Sequence, residues 1–223
     1  MGKVIAIDGP AGSGKGTIAN ILAKKYGYTY IDTGATYRCV ALSVLRNNID
    51  ITDEKSIIDL VKTLNIDFDE SGKTYLNNED VSNLIRTKEV SSIVSPISSI
   101  VKVREKLVDL QRKMANNKDV VMEGRDITTV VFPNADYKFY LDASVDERAN
   151  RRYIQNQQSG INMSFDEILE NIKKRDYNDM NKPVGALKIA EDAIVIDTTH
   201  LTIGQVKGKV KDIIFDKRIK PIG

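Results

Sequence analysis

An α/β fold with a parallel sheet covered on both faces is predicted by two features of this 223-residue sequence. Five short apolar runs, "VIAID" (4 to 8), "YTYID" (28 to 32), "DVVMEG" (119 to 124), "YKFYLD" (137 to 142) and "AIVID" (193 to 197), alternate with helical patterns. Strands buried on both faces read as continuous apolar runs, and helical crossovers between them impose parallel pairing. The first run opens directly into "GPAGSGKGTIAN", a glycine-rich turn with a lysine at the start of a helix.

That turn has the spacing G-x-x-x-x-G-K-G-T, which fits a P-loop: glycines free backbone N–H groups to face an anion, and the helix that follows aims its positive end at the same spot. Gly9, Pro10, Ala11, Gly12, Ser13, Gly14, Lys15, Gly16 and Thr17 form the expected ATP phosphate cradle. Lys15 reaches the outer phosphates. Gly16 replaces the Ser/Thr that usually follows the lysine, and Thr17 comes one place later, so a metal is expected to be held partly through water, and no residue is assigned as its direct ligand.

The second strand ends in "IDTGATYR", which sets Asp32, Thr33, Tyr37 and Arg38 at the carboxyl end of the sheet, where the crevice rule for open sheets places chemistry. A helix N-cap at Thr33 with a surface arginine is the plainer alternative. Between Asn65 and Val81 the texture alternates and turns at Ser71-Gly72 and Asn77-Asn78, as a small inserted antiparallel meander does. A long helix is predicted from about Ile97 to Met114. Within it Arg104 has Ile97, Ile100, Val101, Leu107 and Val108 as helical neighbours. A guanidinium there either snorkels to solvent or needs an anion, because an unpaired buried charge is costly.

"EGRD", Glu123 to Asp126, projects two charges from the end of the third apolar run. After the fourth, "DERANRRYIQ" sets Arg148, Arg151 and Arg152 at i, i+3 and i+4. Such a helix is usually solvated, but near a phosphate site it can supply the charge that a transferring phosphoryl group requires. "KRDYNDMNKP" sets Arg175, Asp179 and Lys182 at i, i+4 and i+7, on one face of a helix expected to run until Pro183. His200, the one histidine, reads as a loop residue.

Composition limits the partners. Lys+Arg 33 against Asp+Glu 31 leaves a net charge of +2, with no basic tail or block to argue for nucleic acid or membrane binding. Cys39 stands alone among apolar neighbours, which suggests a packed thiol in a reducing compartment. No apolar run has a membrane-spanning length, and "VIAID" is too short for a signal-peptide core, so a soluble, cytoplasmic protein is expected.

Taken in order, "GPAGSGKGT", "IDTGATYR", "EDVSNLIRTKEVSSIVSPISSIVKVREKLVDLQR", "EGRDITTVVFPNADYKFYLDAS", "ERANRRY" and "RDYNDMNKP" resemble the bacterial cytidylate kinases, nucleoside monophosphate kinases that act on CMP and dCMP. The resemblance spans the chain. It implies a P-loop three-layer fold with a five-stranded parallel sheet, in one domain over 1–223 with a monophosphate-binding insertion at about 63–83 and a short lid at about 148–160. It implies CMP contacts at Thr33, Ser95, Arg104, Arg125, Asp126, Arg175, Asp179 and Lys182, with Tyr37 and Arg38 beside them. It makes Arg148 and Arg151 or Arg152 the lid arginines. Mg2+ is expected with ATP, and no obligate protein partner is implied. Three positions depart from the family pattern: Lys182 where arginine is typical, Glu123 where aspartate is common, and Thr128 where glycine usually follows.

Two other readings are a P-loop kinase with a different small acceptor, and a non-catalytic nucleotide switch. Guanine-reading switches carry N-K-x-D, and the Asn-Lys-Pro-Val at 181 to 184 lacks that aspartate. If Lys15 carries the charge that follows the phosphoryl group, Lys15→Met keeps the fold and loses at least about a hundredfold in kcat. A folded variant with wild-type turnover in an ADP-release assay excludes that role.

Overall fold

The structure, a computed structural model, describes residues 2–69 and 72–215. Strand β1 (Val4–Asp8) feeds the glycine loop and helix α1 (Lys15–Tyr26), and strand β2 (Thr29–Asp32) then leads into α2 (Thr33–Arg46) and α3 (Glu54–Val61). A three-stranded antiparallel meander follows: β3 (Ile66–Phe68), β4 (Thr74–Leu76) and β5 (Glu79–Asp80). Next come a single tight turn at Leu84–Arg86, α4 (Lys88–Ile97) and α5 (Val101–Met114). Strand β6 (Val120–Gly124), a wide turn at Ile127–Val131 and β7 (Tyr137–Asp142) return the chain to the main sheet. Helices α6 (Val145–Gln158) and α7 (Phe165–Met180), strand β8 (Ile194–Asp197) and α8 (Ile203–Phe215) complete it.

The main sheet is all parallel, in the order β2-β6-β1-β7-β8. Period-2 alternation divides its side chains between two cores. Ile5, Ile7, Val121, Phe139 and Leu141 pack on Ile18 and Leu22 of α1 and on Val206 and Val210 of α8. Val4, Ala6, Ile31, Val120 and Met122 pack on Val108 of α5. A third core joins α2, α3, α4 and α5 to Ile66 and Leu76 of the meander. The meander turns at Asn77 and Asn78, both with positive φ as a tight hairpin of primed type requires. At the other turn Gly72 is described, whereas Ser71 lies outside the described residues. Cys39 is fully buried and free, and burial raises its thiol pKa to about 12.

Two local expectations and one alternative reading are corrected. The segment 97–114 is not one helix, because α4 ends at Ile97 and α5 starts at Val101. The hydroxyls of Ser98 and Ser99 both donate to the Ser95 carbonyl (2.9 and 3.1 Å) and compete with the helical ladder just after Pro96. Ile97 is therefore not on the helix that carries Arg104. Helix α7 stops at Met180, not at Pro183, since proline disfavours helical backbone at Lys182 before it and the Asn181 side chain caps the Tyr177 carbonyl (2.7 Å). The N-cap of α2 is Asp32, which accepts from the Ala35 N–H (3.2 Å), and Thr33 is buried one place later.

Strand β1 is also fastened to the turn after β6. The fully buried Asp8 carboxylate accepts from the Ile127 N–H (3.0 Å), the Thr128 N–H (2.8 Å) and the Thr128 hydroxyl (2.6 Å). Thr128, where glycine is the usual residue, thus contributes a bond that glycine cannot make. Burial raises the Asp8 pKa from 3.8 to about 6, against the pull of these donors. With a folded-state pKa above the unfolded value, Asp8 is ionised in the native protein only above about pH 6, and only there does losing a donor leave a buried charge short of a partner. Thr128→Val is therefore expected to destabilise the fold by about 1.5–3 kcal/mol at pH 8 and by clearly less at pH 5. Urea unfolding at both pH values measures this, and equal losses would sink the Asp8 assignment.

Candidate active site

The loop Gly9–Gly14 closes onto α1, whose first turn has no acidic residue and no side-chain cap. Its N–H groups and the positive end of the helix are left for an anion. Lys15, in the first turn, is buried. Its Nζ donates to the Pro10 carbonyl (3.0 Å) and stands 4.0 Å from Glu123 Oε2. Burial first, then the nearby Arg125, lowers the Lys15 pKa to about 7, and burial first, then Asp32, raises that of Glu123. The Tyr30 hydroxyl donates to Glu123 Oε1 (3.3 Å). A Cβ on Gly16 would stand 2.9 Å from that same oxygen, so the larger acid at 123 and the glycine at 16 fit each other.

Against this loop opens a cavity of about 560 Å3. It brings together all ten residues expected at an acceptor site: Thr33, Tyr37, Arg38, Ser95, Arg104, Arg125, Asp126, Arg175, Asp179 and Lys182. Ala11, Gly12 and Lys15 of the phosphate loop line it as well. Among the described residues, nine lysines and arginines and four carboxylates line this space, an excess of positive charge that a bound polyanion would neutralise.

Carboxylates anchor several of these cations. Asp179 accepts from Arg125 Nε (2.8 Å) and Lys182 Nζ (3.0 Å), and Arg175 Nε stands 4.0 Å away. Burial opposes its ionisation, yet Arg125, Lys182 and Arg175 together hold its carboxyl far below the usual range. The Lys182 side chain is 8% exposed, so it does not simply end a helix in solvent. Asp126 pairs with Arg104 Nη2, while Arg104 Nη1 donates to the Ser98 carbonyl (3.1 Å) and its Cζ lies 5.4 Å from the centre of the Tyr37 ring. Arg104 Nε is buried and lacks a partner among the described residues. Thr33 donates to the Glu123 carbonyl (2.8 Å) and Arg38 to Ser91 (2.9 Å).

The three arginines of α6 have different surroundings. Arg152 lines the cavity. Arg148 is buried beneath the phosphate loop, donating to the Ala11 and Ala143 carbonyls (3.1 and 2.9 Å) and pairing with Asp176 (2.6 Å). Arg151 bonds Glu147 (2.8 Å) and the Thr198 carbonyl (2.6 Å). Neither of these two is among the residues lining the cavity.

Sequence reasoning missed two of the lining cations, Lys174 on α7 and Arg86. Arg86 pairs with Asp32 (3.2 Å) and lines both the main cavity and a second one of about 400 Å3 beside Gly16, Thr17, Tyr30 and Glu123. It sits on a one-turn element with no periodic pattern, and its only signal was its place inside a stretch that matched the family. Among the described residues no group of three or more His, Cys, Asp or Glu could hold a metal ion. Asp32, Glu123 and Thr17 line the second cavity, a set of oxygen-bearing side chains suited to a hydrated divalent metal ion. No helix among the described residues is long and apolar enough to cross a membrane.

The cytidylate kinase family model matches residues 5–215 of this chain. A cytidylate kinase of Fusobacterium nucleatum is 50% identical over 203 residues, covering 91% of this chain and 93% of its own. One from Caldanaerobacter subterraneus is 50% identical over 210 residues, covering 94% and 93%. A solved structure of an uncharacterized protein from Eubacterium ventriosum shares the fold at 14% identity, with a TM-score of 0.51 over 96% of this chain and 99% of that one. With a family match that runs nearly end to end and half of the aligned positions identical in each of two relatives, this chain belongs to the cytidylate kinase family.

Proposed function

We propose that the chain transfers the γ-phosphoryl group of ATP to CMP and dCMP, giving the corresponding diphosphates. The observation that carries this reading is a single cavity in which the lysine of a phosphate loop faces a second cluster of cations and a buried Arg104–Asp126 pair. The loop suits the donor phosphates, Arg125, Arg175 and Lys182 suit the acceptor phosphate, and Arg104, Asp126 and Ser95 suit the base.

The acceptor phosphate has a second pKa of about 6 and is mostly dianionic near pH 7, so the reaction needs no general base. What remains is to align two polyanions and neutralise their repulsion, which fixed donors in a dry site do well. Before the anions arrive the charges on two arginines are disfavoured: on Arg152 by burial first and then by Arg86, and on Arg38 by burial first, with Arg86 and Arg152 adding to it against the pull of Asp32. Bound phosphates relieve that strain. Asp32 and Glu123 would hold, through water, the Mg2+ carried in with ATP, which would supply positive charge at the phosphates. Asp126 can accept from the exocyclic amine of cytosine, whereas uracil presents an oxygen there and is repelled. The unpaired Arg104 N–H offers a donor to a base acceptor.

A coupled assay of ADP formation across all nucleoside monophosphates tests the reading. CMP and dCMP are expected to be consumed, with CMP ahead of UMP by about two orders of magnitude or more in kcat/KM. Asp126→Asn narrows that gap because an amide can rotate to donate. Equal use of CMP and UMP by the wild type would refute the base-site assignment.

The depressed Lys15 gives a second test. Above about pH 7 the free protein loses this charge, and bound ATP restores it, so binding takes up a proton on the alkaline side. Calorimetry of ATP binding in buffers of differing ionisation enthalpy should find uptake of roughly one proton at pH 8 and almost none at pH 6. No uptake at pH 8 would mean that Lys15 stays charged in the free site.

A further inference from the structure

Gly185 lies in the loop between α7 and β8, in the left-handed region at φ +65°. That loop is tied to Asp179 on both sides of the glycine. Lys182 Nζ donates to the Asp179 carboxylate (3.0 Å), and the Leu187 N–H donates to its backbone carbonyl (2.8 Å). Between these anchors the Gly185 backbone rests on the Arg104–Asp126 pair. A Cβ at 185 would stand 2.5 Å from Asp126 Oδ2 and closer still to Arg104 Nη2 and Cζ.

The end of an arginine can normally swing away from an added methyl group. This one is confined: Arg104 is buried, its Nη1 is held by the Ser98 carbonyl, and the Tyr37 ring lies against it. A side chain at 185 leaves two outcomes. Either the loop lifts, straining the Lys182 and Leu187 anchors, or the guanidinium turns out of its bond to Asp126. Both disturb the groups offered to the base.

We infer that Gly185 is a specificity-determining position, a positioning residue whose missing side chain lets the loop after α7 seat on the Arg104–Asp126 pair and hold both groups in register for the cytosine ring. The inference rests on the cytidylate reading above and deepens it. It makes discrimination among bases depend on a backbone contact as well as on the pair itself.

Left-handed backbone alone penalises any L-residue, so a matched control is needed. Gly27, which caps α1, has φ +69° and nothing within 4 Å of a built Cβ, and it takes no part in the cavity. Steady-state kinetics with CMP, UMP and ATP, together with thermal melts, are compared for the wild type, Gly185→Ala, Gly27→Ala, Arg104→Lys and the double variant Gly185→Ala/Arg104→Lys. Gly185→Ala is expected to raise KM for CMP at least about tenfold and lower the CMP-to-UMP preference at least about fivefold, with KM for ATP within about twofold of wild type. Gly27→Ala should leave all three near wild type. In the Arg104→Lys background the colliding fork is absent and the Asp126 carboxylate, no longer held by it, can turn from the methyl, so the added group is expected to change KM for CMP by less than about threefold.

Gly185→Ala that matches Gly27→Ala, or that costs the same in both arginine and lysine backgrounds, overturns the inference. If Gly185→Ala fails to fold alone but folds with Arg104→Lys, the collision is supported. Failure to fold in both backgrounds counts against it. A wild type that does not turn over CMP overturns the functional reading itself and is told apart by that measurement alone.

Discussion

Holding many like charges around one small space, before the anion that will neutralise them arrives, is the constraint on which this structure depends. Among the described residues, nine cations converge on the cavity, and four carboxylates keep several of them in place. Asp179 holds Arg125 and Lys182, Asp126 holds Arg104, Asp32 holds Arg86, and Glu123 stands 4.0 Å from Lys15. Each acid sits at an element end that the fold already fixes. Asp32 and Glu123 close adjacent parallel strands, Asp126 opens the turn after β6, and Asp179 lies in the last turn of α7. Prearranged cations cost little to reorganise when the substrates bind, which is where electrostatic catalysis gains most of its advantage.

The chain's departures from the family pattern fit this scheme as local substitutions of one partner for another. Glu123 reaches farther than aspartate and finds the Tyr30 hydroxyl, while Gly16 leaves it room. Thr128 adds a donor to Asp8. Lys182 gives up a bidentate fork but remains nearly buried against Asp179. None of the three leaves its neighbour without a partner.

Much of this was legible in the sequence, for physical reasons. The five apolar runs matched the five strands of the main sheet because most strand positions are apolar, with β1 and β6 buried at every position. Thr33, Arg125 and Asp126 reach the cavity because they follow parallel strands whose ends point the same way, and helices α2, α4, α5 and α7 bring the other expected residues to it. The failures lie where backbone competes with side chain. Two serine hydroxyls broke a helix that periodicity continued through 98–100, and proline ended α7 by restricting the residue before it. Spacing put Arg148, Arg151 and Arg152 on one side of a helix, but helical periodicity does not say which neighbouring carbonyl will capture a guanidinium. Here Ala11 and Thr198 captured two of the three. Arg86 carried no pattern at all.

The bonds from Asp8 to the turn at Ile127 and Thr128 bear on motion as well as stability. β1 and β6 are hydrogen-bonded neighbours, so the phosphate loop and the turn that carries Asp126 start about 4.8 Å apart, and Asp8 fastens them again just beyond the strands. Helix α7 joins this frame through Asp179, which accepts from Arg125 just past the end of β6. Displacing α7 breaks a bond to the turn that carries Asp126, so access to the cavity and alignment within it are mechanically coupled.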